Sequence, residues 1–179
     1  MSDVVDLPLA GLKLIKPQVF ADDRGFFLET YRTEWIDAAF VQDNHSRSVR
    51  NTIRGLHFQK GKGQAKLVRV ATGKIFDVAV DLRAGSPTFG KWHAEVLDEH
   101  TKHILFIPTG FAHGFCVLSE VADVLYKVSS VYDAATETGF AFDDPEVGVA
   151  WPIKRPAALL SKRDTSALPL AAIRAELTR

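Results

Sequence analysis

The strongest constraint on the fold is a two-residue alternation of side chains within short segments. Between Ile75 and Leu82, one face of an extended chain is wholly apolar, whereas Asp77 and Asp81 fall on the other face. Similar segments recur between turns rich in Gly, Pro, Asn and Asp: Leu12–Ile15, Gly25–Tyr31, Thr52–Phe58, Lys66–Ala71, Lys91–Leu97, His103–Ile107, Gly114–Leu118 and Val121–Val128. This spacing predicts an all-β chain, folded as a sandwich or a barrel.

Helical periodicity is confined to two short segments. Apolar residues share a helical face at Trp35–Phe40, after the potential cap Thr33, and at Leu170–Leu177, behind Pro169. We expect both to form short peripheral helices, the second over about residues 167–178. A chain of 179 residues, 46% of them hydrophobic, can build one core, so we expect a single domain over residues 1–179.

Charge and composition narrow the classes of function. The 22 basic residues balance the 22 acidic ones, which disfavours binding to nucleic acid or to an anionic membrane. Met1 is not followed by a basic and apolar leader, and no apolar run approaches the roughly 18 residues that a membrane span requires. Cys116 is the only cysteine, so intrachain disulfides and cysteine-based metal clusters are excluded. These features predict a cytoplasmic protein.

Basic residues are concentrated in one region. Residues 44–76 contain no acidic residue but eight basic ones. Lys60 and Lys62 fit a solvated Gly-rich loop, whereas Arg54 and Lys66 lie within or beside strand patterns that would hold their charges in place. Such fixed cations are suited to a diphosphate or a developing enolate.

Two histidines in separate β segments raise the question of a metal site. The segments around His57 and His113 resemble the two sequence motifs of the cupin superfamily, whose metal-binding members offer further His and Glu ligands. Here Gln59 stands in place of the second histidine, and no glutamate occurs between His57 and Glu95. Two imidazoles are a poor ligand set for a divalent ion. We therefore predict no metal, which leaves His57 available as an acid or base near neutral pH.

An ordered set of motifs gives a more specific resemblance, to the dTDP-4-dehydrorhamnose 3,5-epimerase family. The motifs are Phe20–Phe27, Phe40–Ser46, Arg54–Gln59, Lys66–Arg69, Phe76–Asp81, Gly85–Gly90, Ile107–Phe115 and Val124–Lys127. The resemblance covers about residues 12–164. It implies a metal-free, cupin-like jelly roll that forms a homodimer and acts on dTDP-4-dehydro-6-deoxy-D-glucose, in the pathway to dTDP-L-rhamnose.

The resemblance also assigns roles to residues. It implies that His57 is the catalytic base, that Asp164 orients it, that Tyr126 is the proton donor and that Tyr132 stacks on the thymine ring. The implied substrate contacts are Arg24, Glu29, Gln42, Asp43, Asn44, Arg54, Lys66, His113, Glu137 and Arg163. Arg24 and Glu29 belong to a strand that crosses into the neighbouring subunit in this family. Val131 and Phe140–Phe142 depart from the family's usual aromatic residues.

The chemistry of a 4-keto sugar is compatible with these residues. The protons at C3 and C5 are both α to the carbonyl group, so a base on one face and an acid on the other can invert either centre without a cofactor. A base alone is insufficient, and we assign Lys66 to the developing oxyanion at O4, with Arg54 shared between O4 and the diphosphate. Three alternatives remain: a C3-only epimerase, a metal-dependent cupin enzyme, and a barrel that binds a sugar nucleotide without turning it over.

Overall fold

Antiparallel strands in two facing sheets form the framework of the computed structural model, which describes residues 2–177. In chain order the strands are β1 Asp3–Asp6, β2 Lys13–Lys16, β3 Val19–Asp22, β4 Gly25–Leu28, β5 Gln42–Val49, β6 Ile53–Gln59, β7 Lys66–Thr72, β8 Lys74–Asp81, β9 Trp92–Asp98, β10 Ile104–Ile107, β11 Phe111–Val117, β12 Val121–Val128 and β13 Glu137–Gly139. One sheet has the order β1-β2-β10-β7-β12-β5 and the other β13-β6-β11-β8-β9. Strands β3 and β4 form a separate hairpin.

The predicted all-β class is confirmed, and every predicted strand segment overlaps an observed strand. Four strands, β1, β3, β5 and β13, were not predicted. Strand β5 is the most important of these for function, because it forms one wall of the cavity described below. Its sequence is polar on both faces, so it lacks the apolar alternation by which the other strands are recognised.

Strand β8 shows how the layers are packed, because both of its faces are buried. Ile75 and Ala79 belong to the core between the two sheets, whereas Val78 and Val80 pack beneath the C-terminal segment. Asp77 and Asp81 are also fully buried, so each needs polar partners. The carboxylate of Asp81 accepts hydrogen bonds from the side chains of Arg83, Ser86 and Thr88, which fix the following turn. The partner of Asp77 is His113.

The helix predicted after Thr33 is absent. The chain makes a turn at residues 33–35 and then continues without regular structure to residue 41. Ile36 is buried and packs with Leu67 and Phe106 on the outer face of the six-stranded sheet, while the ring of Tyr31 meets that of Phe40 edge-on. The apolar residues of this segment are therefore spaced for contact with the sheet and do not form a helix. A helix this short would have little stability of its own.

The predicted C-terminal helix is shorter than expected. An α-helix spans only Leu170–Ile173 and is followed by a 3₁₀ turn over Arg174–Glu176; the end of the predicted range lies outside the described residues. Leu170 and Ile173 are buried against the five-stranded sheet, so the apolar face was correctly predicted. Before it, the chain is extended through Pro169, which fixes where the helix begins.

The β3–β4 hairpin exposes large apolar side chains. Phe20, Phe26 and Phe27 are 52%, 59% and 64% exposed. A surface of this kind is typical of a contact with another protein chain. Whether a partner subunit receives this hairpin stays a prediction. Within residues 2–177, no helix is long and apolar enough to cross a membrane.

Candidate active site

A cavity of about 560 Å³ opens between the two sheets. Most of the residues predicted to form the site line it: Gln42, Asn44, Arg54, His57, Lys66, His113, Tyr126, Tyr132, Glu137, Arg163 and Asp164. They come from both sheets and from the C-terminal segment, so only the folded chain brings them together. Titratable groups that converge in one cleft are typical of a catalytic site.

His57 lies on β6 and is bound to a carboxylate from the C-terminal segment. Its Nε2 is 2.6 Å from Oδ1 of Asp164, which accepts the hydrogen bond because an ionised carboxylate cannot donate one. Burial raises the pKa of Asp164, but hydrogen bonds from His57 and Ser161 outweigh it and hold that pKa below its ordinary value. Within residues 2–177, Nδ1 of His57 makes no hydrogen bond, so it is the ring nitrogen available to a substrate.

The position of Asp164 depends on a one-turn helix, α1, over Lys162–Thr165. Ser161 caps this helix: its hydroxyl accepts a hydrogen bond from the backbone N–H of Asp164 at 3.0 Å. The cap fixes the first turn and turns the Asp164 side chain towards the sheet, where it is buried.

Two glycines allow the strands around His57 to approach closely. Gly55 has a φ of 130°, and a Cβ there would lie 2.5 Å from the Cα of Gly114 on β11. A Cβ on Gly139 of β13 would lie 2.9 Å from Cδ2 of the His57 ring. Any larger residue at either position would displace β6 or the imidazole.

Tyr126 and Lys66 reach the cavity from the opposite sheet. Tyr126 lies on β12, and burial raises the pKa of its phenol, which therefore stays protonated at neutral pH. Lys66 lies on the adjacent strand β7, where desolvation lowers the pKa of its ammonium group to about 8. The charges of Glu137 and Asp77 act in the opposite direction and favour the protonated form. The cavity thus has a neutral acid and a cation on the wall facing His57.

His113 lies beside His57, since the two residues are Cα partners in the pairing of β11 with β6. Nε2 of His113 is 3.0 Å from each carboxylate oxygen of Asp77 on β8. Burial lowers the pKa of His113, and the charge of Asp77 only partly compensates. This second pair was not predicted, although the alternation of β8 had identified Asp77 as a polar residue on the mixed face.

Strand β5 forms another wall of the cavity through alternate residues. Gln42, Asn44 and Ser46 face inward, and Oε1 of Gln42 accepts a hydrogen bond from the backbone N–H of Tyr132 at 3.0 Å. Asp43 was predicted to contact substrate, but its side chain lies on the other face of the strand. There it is bound to Lys127, 2.5 Å away. The reason for the difference is the two-residue period of a strand, which directs neighbouring side chains to opposite faces.

An ion pair borders the cavity near Tyr132. Arg163 donates to Glu137 at 2.7 Å, and a hydrogen bond to Glu137 also raises the pKa of the exposed Tyr132 phenol. Arg54 donates from Nε to the hydroxyl of Ser48 at 3.0 Å. These contacts hold an aromatic ring and two guanidinium groups at the cavity wall.

Arg24 and Glu29 do not reach the cavity of their own chain. Arg24 lies at the tip of the β3–β4 hairpin, where its side chain is 89% exposed and paired with Asp22. Glu29 follows the hairpin and lies 3.4 Å from Arg32. Their predicted contact with substrate requires a second copy of the chain and stays a prediction.

Several residues of the cavity wall were missed by sequence reasoning. They are Ser46, Thr52, Ile53, Gln64, Phe115, Leu159, Leu160 and Ser161. The two-residue spacing of Gln42, Asn44 and Ser46 was the one signal that could have identified part of this wall. Within the described part of the chain, no group of three or more His, Cys, Asp and Glu side chains could hold a metal ion.

The chain matches a known protein family over most of its length. The family model described as dTDP-4-dehydrorhamnose 3,5-epimerase matches residues 6–172. The chain belongs to this family. The dTDP-4-dehydrorhamnose 3,5-epimerase of Pseudomonas aeruginosa is 49% identical over 164 residues, which cover 88% of this chain and 90% of that protein. The enzyme of the same name from Neisseria gonorrhoeae is 50% identical over 167 residues, covering 90% of this chain. The chain spans about half, 51%, of the Neisseria protein's length.

A solved epimerase structure has the same fold. The dTDP-6-deoxy-D-glucose-3,5-epimerase of Legionella pneumophila, in complex with dTDP-4-keto-L-rhamnose, superposes with a TM-score of 0.94. It is 42% identical, and the match covers 99% of this chain and 97% of the Legionella chain. These matches confirm the predicted family, the cupin-like β-sandwich and the assignment to the isomerases.

Proposed function

We propose that this chain inverts C3 and C5 of dTDP-4-dehydro-6-deoxy-D-glucose to give dTDP-4-dehydro-L-rhamnose, in the biosynthesis of dTDP-L-rhamnose. The observation that carries the proposal is that His57, bound to Asp164, and Tyr126 face one cavity from opposite sheets. Inversion of a carbon centre needs a base on one face and an acid on the other. The family to which the chain belongs gives the substrate class.

In this mechanism Nδ1 of His57 removes the proton from C3 or C5, and the bonding electrons move towards O4 to form an enolate. The phenol of Tyr126 then delivers a proton to the same carbon from the opposite face, so the configuration changes. Asp164 stabilises the imidazolium that forms and holds the proton of the neutral ring on Nε2. General-base assistance of this kind contributes about 10²–10⁴-fold.

The enolate oxygen needs a donor that is already in position. Lys66 is the cation of the cavity wall beside Tyr126, and with a pKa of about 8 it is mostly protonated at neutral pH. A positioned donor at an oxyanion is worth about 3–4 kcal/mol of transition-state stabilisation. Lys66 therefore binds O4, while Arg54 is divided between that oxygen and the diphosphate.

The nucleotide occupies the end of the cavity near Tyr132. The exposed ring of Tyr132 offers a stacking surface for the base, and the backbone of this residue is fixed by Gln42. The Glu137–Arg163 pair adds polar contacts beside it. A second copy of the chain completes the site: its β3–β4 hairpin, with exposed phenylalanines and a charged tip, brings Arg24 and Glu29 to the neighbouring cavity. The protein is accordingly a homodimer.

NMR of the 4-keto sugar nucleotide in deuterated water tests the activity directly. Because each inversion exchanges the abstracted proton with solvent, we expect deuterium at both C3 and C5 in the presence of the protein. Label at C3 alone would assign the chain to the C3-only epimerases, and no label above a protein-free blank would contradict the proposal.

Two histidine variants test the role of the base. His57→Ala should slow the exchange by about 10²–10⁴-fold while dTDP binding remains measurable. His93→Ala makes the same chemical change at a histidine that is bound to Glu95 and lies outside the cavity, so its exchange rate should match that of the unmodified protein. An undiminished exchange rate in His57→Ala would show that His57 is not the base.

A further inference from the structure

The second histidine–aspartate pair of the cavity, His113 with Asp77, has no part in the proton transfers described above. We propose that Asp77 is a positioning residue that fixes the tautomer of His113, so that Nδ1 of His113 accepts a hydrogen bond from a hydroxyl group of the sugar. This inference rests on the proposed function, because it concerns how the same cavity recognises the hexose.

The tautomer follows from the contacts of the pair. Both oxygens of Asp77 lie 3.0 Å from Nε2 of His113, and a carboxylate can only accept a hydrogen bond. The proton of a neutral imidazole must therefore sit on Nε2, which leaves a lone pair on Nδ1. Asp77 is completely buried, and within residues 2–177 its side chain has no hydrogen-bond donor other than His113.

The unpaired ring nitrogen of His113 belongs to a side chain that lines the cavity. His113 lines the cavity, and Nδ1 makes no hydrogen bond within the described part of the chain. Within residues 2–177, Oγ of Ser46 is the only side-chain polar atom that is both fully buried and unpaired. The unpaired Nδ1 of His113 is therefore not fully buried. Nδ1 is thus unpaired and accessible, and a bound ligand supplies its partner.

His113 stays neutral and therefore cannot donate from Nδ1. Burial opposes a second proton on the ring, and so do the charge of Lys66 and the neighbouring His57. Asp77 acts in the other direction but does not prevail, since the pKa of His113 remains below its ordinary value. The oxyanion at O4 needs a donor, so it belongs to Lys66 and not to this nitrogen.

An acceptor at this position selects one type of group on the substrate. In a 4-keto-6-deoxyhexose linked to a diphosphate, the carbonyl and phosphate oxygens only accept hydrogen bonds, and C6 is a methyl group. The hydroxyls at C2 and C3 are the donors that the hexose has. His113 is the strand neighbour of His57, so its Nδ1 lies beside the reacting carbons, where these hydroxyls are found.

NMR of the unmodified protein with ¹⁵N-labelled histidine tests the tautomer without any substitution. Long-range ¹H–¹⁵N correlations distinguish a ring protonated on Nε2 from one protonated on Nδ1 or on both nitrogens. We expect the Nε2–H form for His113 at pH 7–8. Protonation of Nδ1 in this range would overturn the proposal, whatever the outcome of the exchange experiment on C3 and C5.

Two substitutions test the consequence for the sugar. Asp77→Asn puts an amide donor within reach of Nε2, which favours the opposite tautomer and turns Nδ1 into a donor. His113→Gln keeps an amide N–H for Asp77 but lacks the acceptor at Nδ1. Each should lower kcat/KM for the sugar nucleotide by about 10-fold, which corresponds to the loss of one hydrogen bond. Neither should change the affinity for dTDP, which has no hexose, by more than about twofold.

The double variant separates a positioning role from a general electrostatic one. If Asp77 acts through His113, adding Asp77→Asn to His113→Gln should produce no further loss, because the interaction is already removed. Additive losses would mean that Asp77 acts mainly by supporting the charge of Lys66, and equal losses of dTDP affinity would mean a structural role. Either result would overturn the proposal.

Glu95→Gln is the matched control. Glu95 is the strand partner of Asp77 on β9, and it is bound to His93 instead of His113. The substitution removes a neighbouring negative charge and leaves the hydrogen bond of His113 intact, so kcat/KM should stay within about twofold. A tenfold loss here would trace the effect to local charge and not to the tautomer.

Discussion

The histidines of the two histidine–aspartate pairs lie on adjacent strands, and the two pairs differ in their access to solvent. The side chain of His57 is 23% exposed and that of His113 is 8% exposed, while their aspartates are 5% and 0% exposed. In both pairs Nε2 is bound to the carboxylate. Burial lowers the pKa of His113, which keeps that ring neutral and makes its Nδ1 a fixed acceptor. In the proposed mechanism the same pair of residue types thus serves two different roles.

The supports of the two pairs also differ. Asp77 and His113 both lie on central strands of one sheet, β8 and β11, which are paired along their whole length. Asp164 belongs to the one-turn helix α1, which depends on its Ser161 cap. We therefore expect the His57 pair to be the more easily disturbed of the two, since short helices open locally more readily than central strands.

Removal of each histidine should give the largest contrast. His57→Ala should lower the rate of C3 proton exchange by about 10²–10⁴-fold, because the base is lost. His113→Gln should lower it only about 10-fold, because a single hydrogen bond is lost. Rates of deuterium incorporation measured by NMR at substrate concentrations below KM, which report kcat/KM, provide the comparison. Equal losses in the two variants would contradict the division of roles.

Asp164→Asn should have the next largest effect. The amide of the asparagine cannot stabilise the imidazolium form of His57, and its N–H group favours the ring tautomer that is protonated on Nδ1. We therefore expect kcat to fall by about 10²-fold. The affinity for dTDP should be nearly unchanged. If Asp164→Asn lowered activity no more than the tenfold expected for Asp77→Asn, the two aspartates would contribute equally. That result would contradict the difference between the two pairs.

The pH dependence of kcat/KM should reflect the ionisation of Lys66, whose charge contributes to the lowered pKa of His113. The pKa of Lys66 is lowered to about 8, so the protonated form that binds O4 is lost as the pH rises through that value. We expect kcat/KM to fall above about pH 8, approaching tenfold per pH unit for a single deprotonation. In Lys66→Arg the cation persists, so this alkaline decline should move to higher pH. An unchanged decline in Lys66→Arg would assign it to another group.

Ser161→Ala should have the smallest effect and tests the support of Asp164. Loss of the cap should destabilise the fold by about 1 kcal/mol, which lowers Tm by roughly 2–4 °C in a chain of this size. Hydrogen exchange should accelerate at residues 162–166 and remain unchanged in β8 and β11. Acceleration throughout the sheet would show that the two supports are coupled.

Strand periodicity predicted most of this architecture because the apolar faces of β6 to β12 are buried against the rest of the protein. Strand β5 was missed for the opposite reason: the inward residues Gln42, Asn44 and Ser46 face a polar cavity and not a core. The segment after Thr33 was wrongly predicted as a helix because its apolar spacing serves packing on a sheet. The spacing of apolar residues shows which residues are buried. It does not by itself show whether their backbone forms a helix or an irregular segment that packs on a sheet.

The motifs of the sequence determined the family. The resemblance to that family assigned roles to His57, Tyr126, Asp164, Lys66 and His113. The tertiary fold decided which of these groups meet. His57 binds an aspartate 107 positions away, and His113 binds one 36 positions away. Side-chain direction decided the rest, turning Asp43 outward and Asp77 inward. Strand register and burial arise from contacts between distant parts of the chain, so the sequence specifies the chemical groups, and only the fold fixes the exposure of each histidine and the contacts of its ring.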